Sequence, residues 1–201
     1  RNISIDEECL RDFEAEIAHL YENKNIKGPI HLSDGNEKQL IKIFGHINKA
    51  DWVFSAWRNH YHALLHGVCP DFLKQEILEG RSMGIISNEP KFISSSIVGG
   101  IIPIALGVAL GIKRGNGQNT PQKVWCFIGD MTYETGLFWE AYKYSQNFDL
   151  PLTFVVENND KSVTSPTSKT WGKKMGALPN TVYYDFSSKY PHHGTGNWVN
   201  F

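Results

Sequence analysis

At 201 residues the chain has the length of one ordinary domain, long enough to bury a real core. Hydrophobic residues make up 41% and charged residues 20%, and a formal net charge of -1 gives no electrostatic ground for binding nucleic acid or an anionic membrane. Its partners are expected among small molecules and other proteins.

Ser4 and Glu7 have the spacing of a capping box, and Leu10, Phe13, Ile17 and Leu20 follow at helical intervals, so an amphipathic helix is expected to open the chain. After the break at Gly28 and Pro29, Ser33 or Asp34 can cap a second helix that carries Leu40, Ile41, Phe44 and Ile47 on one side, which leaves His31 at its entrance. Residues 51 to 57 read as a short extended piece, and 59 to 67 and 71 to 79 as short helices, so Arg58 falls at an element boundary. The irregular stretch 80 to 96 reads as a loop, and the apolar run 97 to 112, too short to span a membrane and interrupted by Gly and Pro, as a buried helix.

The loop from Lys113 to Lys123 lacks a Walker spacing and reads as a solvated turn. It leads into VWCFIGD, a run that stops at Gly129 and Asp130 as a buried parallel strand does. A helix over ETGLFWEAYKYSQNF and a second strand over LTFVVENND complete a strand, helix, strand unit, with Trp125, Trp139 and Tyr142 expected in the core. The expected fold is α/β, a parallel sheet flanked by helices, in a single domain over 1–201 whose segment 161–201 is irregular.

Cys9, Cys69 and Cys126 show neither zinc nor disulfide spacing, which fits a reducing, cytoplasmic setting; the acceptor pattern at Asn2 is too short to weigh against it. His60, His62 and His66 lie at near-helical spacing without matching carboxylates, and read as surface or packing residues before a metal cluster. In PHHGTG, a Pro and two Gly would hold His192 and His193 on a rigid loop, either as a structural turn or to reach a substrate.

In open α/β sheets ligands bind beyond the carboxyl ends of the strands, where Asp130 and Asn159 both fall. A carboxylate and an amide oxygen suit magnesium or calcium, with phosphate oxygens filling other positions, although an Asp at a strand end is as often a helix cap. The stretch GDMTYETGLFWEAYKYSQNFDLPLTFVVENND resembles the thiamine-diphosphate signature, and its Gly136, Phe138, Glu140, Ala141, Leu150 and Pro151 are most similar to the alpha subunit of 2-oxo-acid dehydrogenase E1 components. IHLSDGNE at 30 to 37, AWRNH at 56 to 60 and IVGGIIPIALGVALGIK extend the resemblance, in order, over most of 28 to 160.

The resemblance implies thiamine diphosphate (ThDP) and Mg2+ as cofactors, with Asp130, Asn159 and the carbonyl of Lys161 as metal ligands. It implies that Arg58 and Trp57 reach the diphosphate, that Gly129, Met131 and Thr132 line the same turn, and that Ser96 and Val98 contact the aminopyrimidine. His31 matches a histidine near the substrate, and His192 is a second catalytic candidate. Met131 and Ile101 depart from the family, which has Gly at the first position and usually Gln at the second.

Cleavage or formation of a C–C bond beside a carbonyl is the implied activity, on a 2-oxo acid or a ketose. It needs a beta-like partner that carries the pyrimidine-binding domain, so a hetero-oligomer is expected. The N-terminal half of a split transketolase and a non-catalytic scaffold of the same fold are the alternatives.

Overall fold

A computed structural model of the chain describes residues 4–115, 122–172 and 176–199; the Asn2 acceptor and residues 116–121 of the solvated-turn reading lie outside them. In order come α1 (Glu7–Glu22), α2 (Glu37–Phe44), β1 (Trp52–Ser55), α3 (His60–His66), α4 (Pro70–Leu78), β2 (Ile86–Ser87), β3 (Phe92–Ser94) and α5 (Ile101–Gly115). They are followed by β4 (Val124–Gly129), α6 (Asp130–Tyr133), α7 (Gly136–Asn147), β5 (Leu152–Asn158), α8 (Thr167–Trp171) and β6 (Thr181–Asp185). The strands form one six-stranded sheet in the order β2-β3-β1-β4-β5-β6, parallel throughout except for β2.

Strand β4 shows why the sheet is covered on both faces: successive side chains alternate between two cores. Trp125 and Phe127 join Leu10, Ile17, Leu40, Phe44 and Tyr61 on the face covered by α1 to α4. Val124, Cys126 and Ile128 join Ile102, Ala105, Phe138 and Phe154 on the face covered by α5 and α7. This period of two, apolar at every position, is the mark of a strand buried on both sides. The chain leaves β1 toward β2 and β3, then returns through α5 to place β4 on the other flank of β1. Between β1 and β4 the connections therefore diverge, which opens a crevice at their carboxyl ends.

Several local expectations are corrected. Asp6, not Ser4, caps α1, its carboxylate accepting from the Cys9 amide at 2.8 Å. Asn36 precedes α2 instead of Ser33 or Asp34, because the Ser33 amide is drawn to Glu14 Oε2 at 2.6 Å and Asp34 adopts a left-handed φ of 50°. The loop 80 to 96 contains β2 and β3, strands too short to show a period in sequence. The segment 161–201, expected to be irregular, holds α8 and β6; β6 pairs along β5 and is half-buried, which blurs its alternation. Trp139 is exposed because Phe138, Ala141 and Ser145 form the buried face of α7, and Tyr142 is half-buried with its hydroxyl on Pro179 O. Among the described residues no helix is long and apolar enough to cross a membrane.

Candidate functional site

Three strands end at one place, and each end is shaped by its own residues. After β1 the chain turns through Ala56, Trp57 and Arg58, fixed by Asn59, whose Nδ2 donates to Trp57 O at 3.0 Å and to Ser82 O at 2.9 Å. β4 stops at Gly129, and Asp130 begins α6 directly. β5 bends through two successive side-chain turns: Asn158 Oδ1 accepts from the Asp160 amide at 3.0 Å, and Asn159 Oδ1 from the Lys161 amide at 3.1 Å. A cavity of about 70 Å3 lies where they meet, against roughly 300–1,000 Å3 for a small-molecule site.

Trp57, Arg58, Val98, Gly129, Asp130, Met131, Thr132, Asn159, Lys161 and His192 all line that cavity. Ser96 is exposed and does not line it. His31 stands behind it, its ring 5.1 Å from that of His192 and 6.0 Å from that of Trp57. Ile101, where the family usually has Gln, is buried in the core beneath α5. Met131 directs its sulfur toward α8, where Trp171 Nε1 donates to it at 3.2 Å, so the side chain is held at the rim.

Asp130 is 3% exposed, and its Oδ2 makes no hydrogen bond among the described residues. Burial pushes its carboxyl above the ordinary value, against the pull of the nearby Thr167 hydroxyl and the amides of Asp130 and Asn159. An ionised carboxylate buried with an unused oxygen is costly unless a cation meets it. Asn159, whose Oδ1 keeps a second lone pair, and Lys161 line the same cavity, so the oxygens available there are of the hard kind that could hold Mg2+. Arg58 donates to Leu32 O, and through Nη2 to His192 O at 3.3 Å. Burial lowers its pKa, and the carboxylates of Glu14 and Glu157 oppose that.

Burial, then Arg58 and His192, pushes His31 down to about 3, so its imidazole is neutral at neutral pH; its Nδ1 lies buried without a hydrogen-bond partner among the described residues. His192 is lowered by burial and Arg58 in the same way. His60, His62 and His66 are packing residues: His60 lies against Glu14 at 3.3 Å and Ser82 Oγ at 3.0 Å, His62 against Glu157 at 3.1 Å and His66 against Asp51 O at 3.2 Å.

Sequence reasoning missed Ala56, Glu157, Ser162 and Phe186, which also line the cavity. Glu157 left a signal, since a carboxylate inside an otherwise apolar buried strand demands partners. Phe186, just past β6, left none.

Comparison with known proteins places the sequence among dehydrogenase E1 components. The sequence profile described as dehydrogenase E1 component matches residues 6–175. The pyruvate dehydrogenase E1 component subunit alpha of Rickettsia typhi is 29% identical over 171 residues, covering 80% of this chain and 52% of its own length. The chloroplastic subunit alpha-3 of Arabidopsis thaliana is 31% identical over 162 residues, covering 74% of this chain and 38% of its own. The alpha subunit of Porphyra purpurea is 30% identical over 167 residues, covering 76% and 48%. The chain spans about half the length of these curated relatives, or less.

Proposed function

The chain belongs to the dehydrogenase E1 component family, and from that premise we propose that it is the diphosphate-binding side of an E1 alpha-type, ThDP- and Mg2+-dependent enzyme acting on a 2-oxo acid. The observation that carries the reading is the convergence of Arg58, Asp130, Asn159 and Lys161 on one cavity, with Asp130 Oδ2 buried and without a hydrogen-bond partner among the described residues. Asp130, Asn159 and the Lys161 carbonyl would hold the metal, and Arg58 and Trp57 the diphosphate. Neutral His31 and His192, in ring contact with each other, would be able to donate or accept a hydrogen bond toward a substrate without adding charge. ThDP, when bound, supplies the carbanion chemistry that cleaves the bond beside the 2-oxo group. The residues of this chain anchor, orient and neutralise.

The small volume of the cavity supports completion of the site by a partner subunit of the beta type. The free cysteines, Cys9 and Cys69 exposed and Cys126 buried, are compatible with a reducing, cytoplasmic compartment. The family match favours this reading over a split transketolase, and the retained buried charge of Asp130 favours it over a scaffold. Gentle purification followed by mass spectrometry is expected to find ThDP and a stoichiometric second chain. Recovery of the chain alone, free of cofactor after ThDP and Mg2+ are supplied, would sink the proposal.

A further inference from the structure

Glu157 is held as few carboxylates are. Its Oε1 accepts from His62 Nε2 at 3.1 Å, from Asn36 Nδ2 at 3.3 Å and from the Tyr184 hydroxyl. The donors come from α3, from the residue before α2 and from β6, and His62 is fully buried. Asn36 makes no side-chain cap to α2, and its Nδ2 donates to the carboxylate. Oε2 makes no hydrogen bond among the described residues, while the residue lines the same cavity as Arg58. In register Glu157 sits between Gly129 and Tyr184, two residues after Val155, on the sheet face that also carries Tyr61 and Leu32. That is the side on which Arg58 reaches Leu32 O.

We propose that Glu157 is a positioning residue for Arg58: anchored through Oε1 by three donors, it offers a fixed negative charge through Oε2 that keeps the guanidinium directed at the diphosphate of the ligand. A carboxylate in a site for an anion would by itself repel the ligand. Its presence is explained by the Arg58 cation that lines the same cavity, which burial would otherwise leave poorly compensated. The donors restrict the carboxylate to one position, so the guanidinium meets the same field in every molecule. This inference rests on the diphosphate-site reading above.

The test is calorimetric titration of the protein, in the assembly in which it is isolated, with inorganic pyrophosphate at saturating Mg2+. Glu157→Gln is expected to weaken binding about tenfold, as coupled charged neighbours do. In an Arg58→Gln background the same change is expected to leave binding unchanged or tighten it, because only repulsion is then removed. Equal weakening in both backgrounds, no change, or tighter binding by Glu157→Gln alone overturns the role. Where Glu157→Gln does not fold, Tyr184→Phe keeps the charge and removes one anchor; it is expected to weaken binding in the Arg58 background only, and unchanged binding overturns the role. If the unaltered protein binds no pyrophosphate, the diphosphate-site reading falls and this inference falls with it.

Discussion

Asp130 and His31 are buried to similar degrees, and burial has opposite consequences for them: it raises the carboxyl and lowers the imidazole. Asp130→Asn relieves the cost of an unpaired buried charge, so it is expected to stabilise the metal-free chain by about 1 kcal/mol while abolishing Mg2+-dependent ThDP binding. Urea denaturation and calorimetry on the same variant check both halves. For His31 the folded pKa lies below the unfolded value, so the unfolded state binds more protons between about pH 6.5 and 3. Its contribution to stability is complete above that window and is lost as pH falls through it. Between pH 7 and 5 the loss should be about 2 kcal/mol, and His31→Gln should remove that part of the acid sensitivity; identical pH dependence in the variant contradicts it. Asp130, Asn159 and Arg58 were legible because strand ends and motif spacing mark them. Glu157 was legible only as a carboxylate in need of partners, because those partners come from sequence positions as distant as Asn36 and Tyr184.

Among elements, the segment after β6 was the least legible. It runs back over the entrance to α2: Lys189 donates its amide to Asp34 O at 3.0 Å, Ser188 Oγ to Ser33 O at 2.9 Å and the Gly194 amide to Ile30 O at 2.9 Å. It brings His192 to Arg58 on the way. The pairing is with loop backbone, which has no periodic pattern to read, so PHHGTG gave only a choice between turn and site. Gly35 makes the close approach possible, since at its φ of +123° a Cβ would collide with the Ser187 carbonyl oxygen. Gly35→Ala is expected to cost about 2 kcal/mol or more in urea denaturation, from backbone strain alone before the collision is relieved. Lower ThDP affinity should accompany it through displaced His192; a variant as stable as the parent would show that the segment docks differently. The long helices and β4 were readable because burial on one face or two leaves a period, whereas caps were misassigned where side chains serve tertiary contacts instead of their own helix.

For the whole molecule, the alternation of elements pointed to a parallel sheet with helices on both faces, and the structure has that architecture with β2 alone antiparallel. Strand order is a non-local property, and no local pattern says that β4 lies against β1. That adjacency brings Arg58 and Asp130, 72 positions apart in the numbering, to one cavity. The site was therefore legible as a set of residue types and motifs, but its arrangement only from the fold.

The contact between Trp171 and Met131 gives the protein an optical consequence. Trp171 is half exposed, and its indole nitrogen rests on a sulfur at the rim of the cavity. A ligand that displaces Met131 moves the neighbour of a fluorophore without passing through the core. Emission from this one indole can then report occupancy of the site in real time, with no label added, and Trp171→Phe supplies the blank against which the other tryptophans are subtracted.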